Sequence, residues 1–174
     1  MDQHLQRSFR KLEKRSTDLL NQLRTHSTEK LSFGPVAHWS VLQIIAHLIT
    51  AERLSVMYMQ KKMLGIDAAG NTGILDELKM GLLIISQRLP LKFKAPPAVV
   101  QQTTQATSLQ QLEQEWNQVR KDLQALLEKI QPHQRKRKIY KHVVAGKLNA
   151  QQALRFFHEH FVHHQPQIKK LINL

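Results

Sequence analysis

FFHEHFVHHQPQIKKL, residues 156–171, carries Phe157, Phe161, His164, Ile168 and Leu171 at successive steps of four, three, four and three. A helix brings residues three and four apart onto one face, so these five side chains form a single stripe. A stripe this apolar has to be buried against other elements, and neighbouring helices are the natural partners. The segment predicts a long closing helix from about Asn149 to Ile172. Pro166 predicts a local bend just after His164, because proline has no N–H to donate to the carbonyl of Val162.

The rest of the chain repeats this pattern. Phe9, Leu12, Leu19, Leu20 and Leu23 predict a first helix from about Leu5 to His26, interrupted by SFGP at 32–35. SVLQ at 40–43 reads as a capping box, in which Ser40 accepts an amide hydrogen bond and Gln43 reaches back. A second helix follows through VLQIIAHLITAERLSVMYM. A second capping box, Ser108 to Gln111, opens a third helix whose stripe runs from Leu109 through Trp116 and Leu123 to Ile130. Between about Lys61 and Thr107 the periodicity weakens. GILDELKMGLLIISQRL predicts a shorter helix, and LPLKFKAPPAVV predicts extended or irregular chain because its prolines remove donors and restrict their predecessors. The expected fold is therefore all-α: one domain over 1–174, a four-helix bundle with a long connection between helices two and three. That length disfavours a simple up-down arrangement with short loops.

Composition narrows the chemistry. The 174 residues include no cysteine, which excludes disulfides, zinc–thiolate clusters and thiol nucleophiles, and leaves nitrogen and oxygen as metal ligands. Lys and Arg number 26 against 13 Asp and Glu, a formal charge of +13 that favours anionic partners. The first residues, MDQHLQRSFRKLEKRS, lack the apolar run of a secretory leader, and no stretch reaches membrane-spanning length. A cytoplasmic protein without a membrane role is expected.

The histidines separate by direction. At about 100° per residue, His160 lies about 40° from His164, on the stripe, whereas His163 and His158 lie about 100° and about 120° away. His160 and His164 stand four residues apart on one face, a spacing that suits packing and capping as well as it suits donating two ligands from one rigid helix. His47, in IIAHLITAE, flanks the apolar face of helix two. It reads either as a boundary histidine bonded to a carbonyl or as a side chain turned into a cleft between helices.

WSVLQIIAHLITAE at 39–52 and KHVVAGKLNAQQALRFFHEHFVHHQPQI at 141–168 together resemble the DinB-like superfamily, helical-bundle proteins that include metal-dependent thiol transferases. The resemblance covers essentially the whole chain. It implies a four-helix bundle and a divalent metal held by three histidines, here His47, His160 and His164, with Gln167 and Ile168 completing the closing signature. Two departures stand out: HVVAG replaces a His-Pro-type step before the family's glycine, and Pro166 lies inside the final signature.

Three imidazoles would leave a coordination position open and suit zinc or nickel first, manganese or iron next. The expected activity is metal-dependent hydrolysis of a small molecule, with Glu52 as acid or base and Gln167 orienting a ligand or substrate. The commoner use of such a carboxylate, a salt bridge with an arginine or lysine of helix one, is the preferred reading of Glu52. A thiol S-transferase acting with a small, possibly anionic thiol is the alternative, and a non-catalytic metalloprotein or basic interaction module is a third reading. Glu159 is expected to face solvent, Trp39 to staple helix two to the core, and Tyr140 and His142 to pack the turn before helix four or line a pocket entrance. The zincin pattern is absent, since no histidine stands four residues after His158. The run QRKRKIYKH at 134–142 reads chiefly as a solvated basic loop, so a nucleic-acid partner is not expected. A homodimer through an outer helix face is possible on this reading.

Overall fold

The computed structural model describes residues 1–35, 38–89, 97–103 and 108–173. In chain order these form α1 (Gln3–Leu23), α2 (Thr28–Ser32), α3 (Val41–Met63), α4 (Ile74–Arg88), α5 (Pro97–Gln102), α6 (Leu109–Lys129), a hairpin of β1 (Tyr140–His142) and β2 (Gly146–Leu148), and α7 (Ala150–Ile172). Two short 3-10 turns, Ile66–Ala68 and Pro132–Gln134, complete the set. Seven helices and a hairpin correct the expectation of a strict four-helix bundle, although α1, α3, α6 and α7 are the four long helices read from periodicity.

Side-chain bridges fix the helix directions. Gln151 on α7 donates to Ser8 on α1, and Leu19 and Ile168 line one groove further along both helices, so α1 and α7 run parallel. Glu13 pairs with Arg120 and Arg24 with Glu113, so α6 runs opposite to α1. Ser55, further along α3, meets Tyr140, which stacks on Phe156, whereas His47, earlier in α3, meets His160 and His164, later in α7, so α3 is antiparallel to α7 and therefore parallel to α6. Two neighbouring helices that run the same way cannot be joined by a tight turn, which is the physical reason for the long connection between α3 and α6.

That connection is built rather than slack. α4 lies along α7, bound at its start by the Glu77 carboxylate, which accepts from Gln152 at 2.6 Å. At its end the Gln87 carbonyl accepts from His163 Nδ1 at 2.8 Å, and Arg88 reaches Glu159. α5 packs on α3 and takes up residues 97–102, where irregular chain was expected; residues 90–96 of that prediction lie outside the described residues.

Local chemistry accounts for the helix starts. Gln43 N–H donates to Ser40 Oγ at 3.2 Å and Ser40 N–H to Gln43 Oε1 at 2.8 Å, which closes the capping box of α3. At α6, Ser108 accepts from Gln111 N, but the Gln111 amide turns to Glu115 instead of reaching back. α7 begins with a reciprocal pair, Asn149 and Gln152, at 3.1 and 2.9 Å. The hairpin before it turns at Gly146, whose φ of 77° favours glycine, while His142 Nδ1 accepts from the amides of Val144 and Ala145. Helix α7 continues through Pro166 to Ile172.

The core is one cluster in which Trp116, Phe157, Leu12, Ile45 and Ile49 are among the fully buried side chains. Among the described residues no helix is long and apolar enough to cross a membrane.

Candidate metal centre

His47, His160 and His164 meet where the first half of α3 crosses the middle of α7. Each offers a ring nitrogen, and these atoms all lie within 4.8 Å of one another. The shortest approach is His47 Nε2 to His160 Nε2, 3.2 Å, across 113 positions of sequence. Two nitrogens bonded at ~2.0–2.1 Å to one tetrahedral ion stand ~3.3–3.4 Å apart, so this pair is already spaced for a common ligand. His47 and His164 are 4% and 8% exposed, and His160 is half-buried.

Neighbouring side chains aim the rings. His164 Nδ1–H donates to Gln167 Oε1 at 2.9 Å, which commits that proton and leaves Nε2 with its lone pair. Gln167 itself is exposed, so the helix surface orients a buried ring. Phe156 lies one turn before His160 and stacks on it, with 5.5 Å between centroids and 10° between planes. The Trp39 ring sits 5.0 Å from that of His47. Trp39 is 40% exposed, a correction to its expected place in the core: it covers the flank of the histidine cluster. His47 Nδ1 has no hydrogen-bond partner among the described side chains and backbone.

Burial also sets the charge state. Desolvation, with the neighbouring His164 and His163 adding to it, lowers His47 from the usual 6.5 to about 4. Desolvation likewise takes His164 to about 4, opposed by its bond to Gln167. His160 lies well below the usual range, chiefly by desolvation and then by its histidine neighbours. All three rings are neutral near pH 7, the form in which imidazole nitrogen binds a metal. Three such donors with no counter-charge among them fit a borderline cation that prefers nitrogen.

The remaining candidates fall elsewhere. Glu52 points to the opposite side of α3, where Oε2 accepts from Trp116 Nε1 at 3.1 Å and Oε1 from Arg120 at 3.0 Å. Its cation thus comes from α6, where helix one was expected to supply it; Arg120 also binds Glu13 of α1. Burial raises the Glu52 carboxyl above its ordinary range, and Arg120 and Trp116 act against that rise. Glu159 is buried, which corrects its expected exposure: Arg88 grips both its oxygens at 2.9 Å because α4 covers this side of α7. His163 is held by Gln87, and His142 by the hairpin turn, so neither joins the cluster. Tyr140 is buried beside Ser55, 3.2 Å between hydroxyls.

In the basic run, Arg135 pairs with Asp2, Lys138 with Asp76, and Arg137 donates to the Ala69 carbonyl. Three of its five cations therefore fasten the loop to the body of the protein.

The family model described as the DinB superfamily matches residues 8–168, a span that takes in all three histidines. Searches of curated proteins and of solved structures gave no significant match.

Proposed function

We propose that this chain, which belongs to the DinB superfamily, binds one divalent metal through His47, His160 and His164 and acts as a hydrolase-like enzyme on a small molecule. The observation that carries this reading is the convergence of three neutral imidazoles, each offering a ring nitrogen within 4.8 Å of the others, with no carboxylate among the described residues facing those nitrogens and the Gln167 amide spent on the outer nitrogen of His164. Buried polar groups are normally partnered, so a cluster of mutually facing nitrogens is explained best by a ligand they share. Zinc or nickel suits three nitrogen donors best, with manganese and iron next.

When bound, such an ion supplies Lewis acidity to a substrate oxygen or sulfur and lowers the pKa of water. The protein's own residues supply the rest. Gln167 holds the His164 tautomer, Phe156 fixes the His160 ring, and Trp39 shields His47 from water. Three protein ligands leave a fourth position for water or substrate, which favours a reacting site over a closed structural one. Glu52 is assigned to anchoring the bundle, since both of its oxygens are engaged by Trp116 and Arg120.

Thiol transfer is the second reading, and the formal charge of +13 favours it for an anionic thiol. Elemental analysis of untagged protein, purified without chelator, tests the shared premise. One first-row metal per chain, lost in His164→Ala and kept in His163→Ala, is the expected result. Equal metal in both variants would remove the site. Hydrolysis and thiol-transfer assays on the loaded protein then separate the two activities.

A further inference from the structure

We propose that the groove between α1 and α7 is a second ligand site, separate from the histidine cluster, and that it takes a phosphate monoester of a small organic molecule. The groove encloses about 360 Å³, within the range of ~300–1,000 Å³ that small-molecule sites occupy. Phe161 and Gln165 line it, and each directly follows a histidine of the cluster. One residue is about 100° of helical turn, so the groove and the cluster occupy different faces of α7.

Four cations line the groove, Lys11, Lys14, Arg15 and Lys169, against one acid among the described residues, Asp18. Asp18 is already bonded to Lys14 at 3.0 Å. Lys11, Arg15 and Lys169 have no ion pair or side-chain hydrogen bond among the described residues. Elsewhere, cations held at the surface of the bundle are answered: Arg120 by Glu52 and Glu13, Arg53 by Glu115, Lys138 by Asp76. Arg15 is half-buried and has no such partner. Lys11 and Arg15 both bear on His158 of α7, which desolvation first, and these two cations next, hold below its ordinary pKa range. They therefore stand together on the side of α1 that faces α7.

The chemistry of the lining selects the ligand. Two free cations at one end call for two negative charges. A phosphate monoester carries about −1.5 to −2 near pH 7, with three acceptor oxygens for the guanidinium fork of Arg15 and the ammonium of Lys11. A monocarboxylate would leave one cation over. Because α1 and α7 run parallel, Gln22 and Lys169 stand at the other end of the groove. Leu19, Phe161 and Ile168, all buried, form its floor. The body of the ester thus lies on apolar carbon, and its far end meets an amide and an ammonium. A cavity of this size also holds more than a bare phosphate ion.

Isothermal titration of the full chain with hexyl phosphate is expected to show a site that persists unchanged in His164→Ala, so that this proposal stands or falls apart from the metal reading. Arg15→Met and Lys11→Met should each weaken that site about tenfold or more, since each removes a charged hydrogen bond. Arg15→Lys, which keeps the charge and loses the fork, should fall between Arg15→Met and wild type. Lys121→Met, which removes one charge from α6 outside the groove, should bind as wild type does. Inorganic phosphate and hexanoate should each bind more weakly than hexyl phosphate, and the far-ultraviolet circular dichroism of every variant should be unchanged. No binding of hexyl phosphate, equal affinity in folded Arg15→Met and Lys11→Met, or inorganic phosphate bound as tightly as the ester would overturn the proposal. Loss of the site in His164→Ala would overturn it in favour of the histidine cluster. Binding to phosphatidic acid vesicles with none to hexyl phosphate would overturn it in favour of a membrane contact.

Discussion

Helix α3 has a polar cluster on each side, and the two differ in how completely they satisfy themselves. Toward α6, Glu52 is met by Trp116 and by Arg120, which also reaches Glu13, so acid, base and indole answer one another. Toward α7, His47 faces His160 and His164, three rings of one chemical kind with no acid among them. A closed network stabilises a bundle and leaves nothing over for a ligand, whereas a cluster of like donors is complete only when something binds it.

The largest effect expected from breaking this contrast comes from Arg120→Met. It leaves a buried carboxylate with only an indole partner, so the folded state should lose about 3–5 kcal/mol, read from the urea midpoint. Metal content per folded chain should not change; a folded Arg120→Met protein without metal would show that the two clusters are one system.

Chelation is the complementary test. At a hundredfold excess of metal over Kd, binding adds about 2.7 kcal/mol to stability, so removing the metal should lower Tm by the corresponding amount. His164→Ala should have a Tm that metal no longer moves. Gln167→Ala sharpens the comparison further, because it removes only the partner of His164 Nδ1. A roughly 10–100-fold loss of metal affinity is expected, with Gln167→Glu restoring the acceptor. An unchanged affinity would reduce Gln167 to a surface residue.

Acid should separate the two sides in the metal-free protein. His47 and His164 titrate at about 4 when folded and near 6.5 when unfolded. The unfolded chain therefore takes up protons first on acidification, so the stability these rings allow is complete above about 6.5 and declines as pH falls toward about 4. A flat denaturation midpoint across that window would contradict the buried placement of the cluster. The smallest effect is reserved for His163→Ala, which loses one hydrogen bond to Gln87, worth about 1 kcal/mol, and should keep its metal.

The helices that frame the site were legible because their signals are short-ranged. Stripes and caps such as Ser40 with Gln43 depend on residues three or four apart, and they placed α1, α3, α6 and α7 to within a few residues. The same wheel that put His160 and His164 on one face misplaced Glu159. It described one helix in isolation, and α4, packed along the other side of α7, made that second face an interior. Trp39 was misplaced for a related reason: its large apolar ring predicts burial, but only the position of His47 shows which surface it covers. Phe156 was missed although its spacing, one turn before His160, was available to be read.

What the sequence determined by itself is the set of long helices, the pairing of His160 with His164, the exclusion of a protein thiol and, through its closing signature, the family. Tertiary structure decided that His47 meets that pair although His160 stands 113 positions away, that Glu52 turns away to Arg120, and that α4 buries one apolar face while presenting another. The division has a physical cause. Periodicity is set by the geometry of a single helix, whereas convergence depends on the directions and heights at which α3, α4 and α7 pack, and those follow from the whole core.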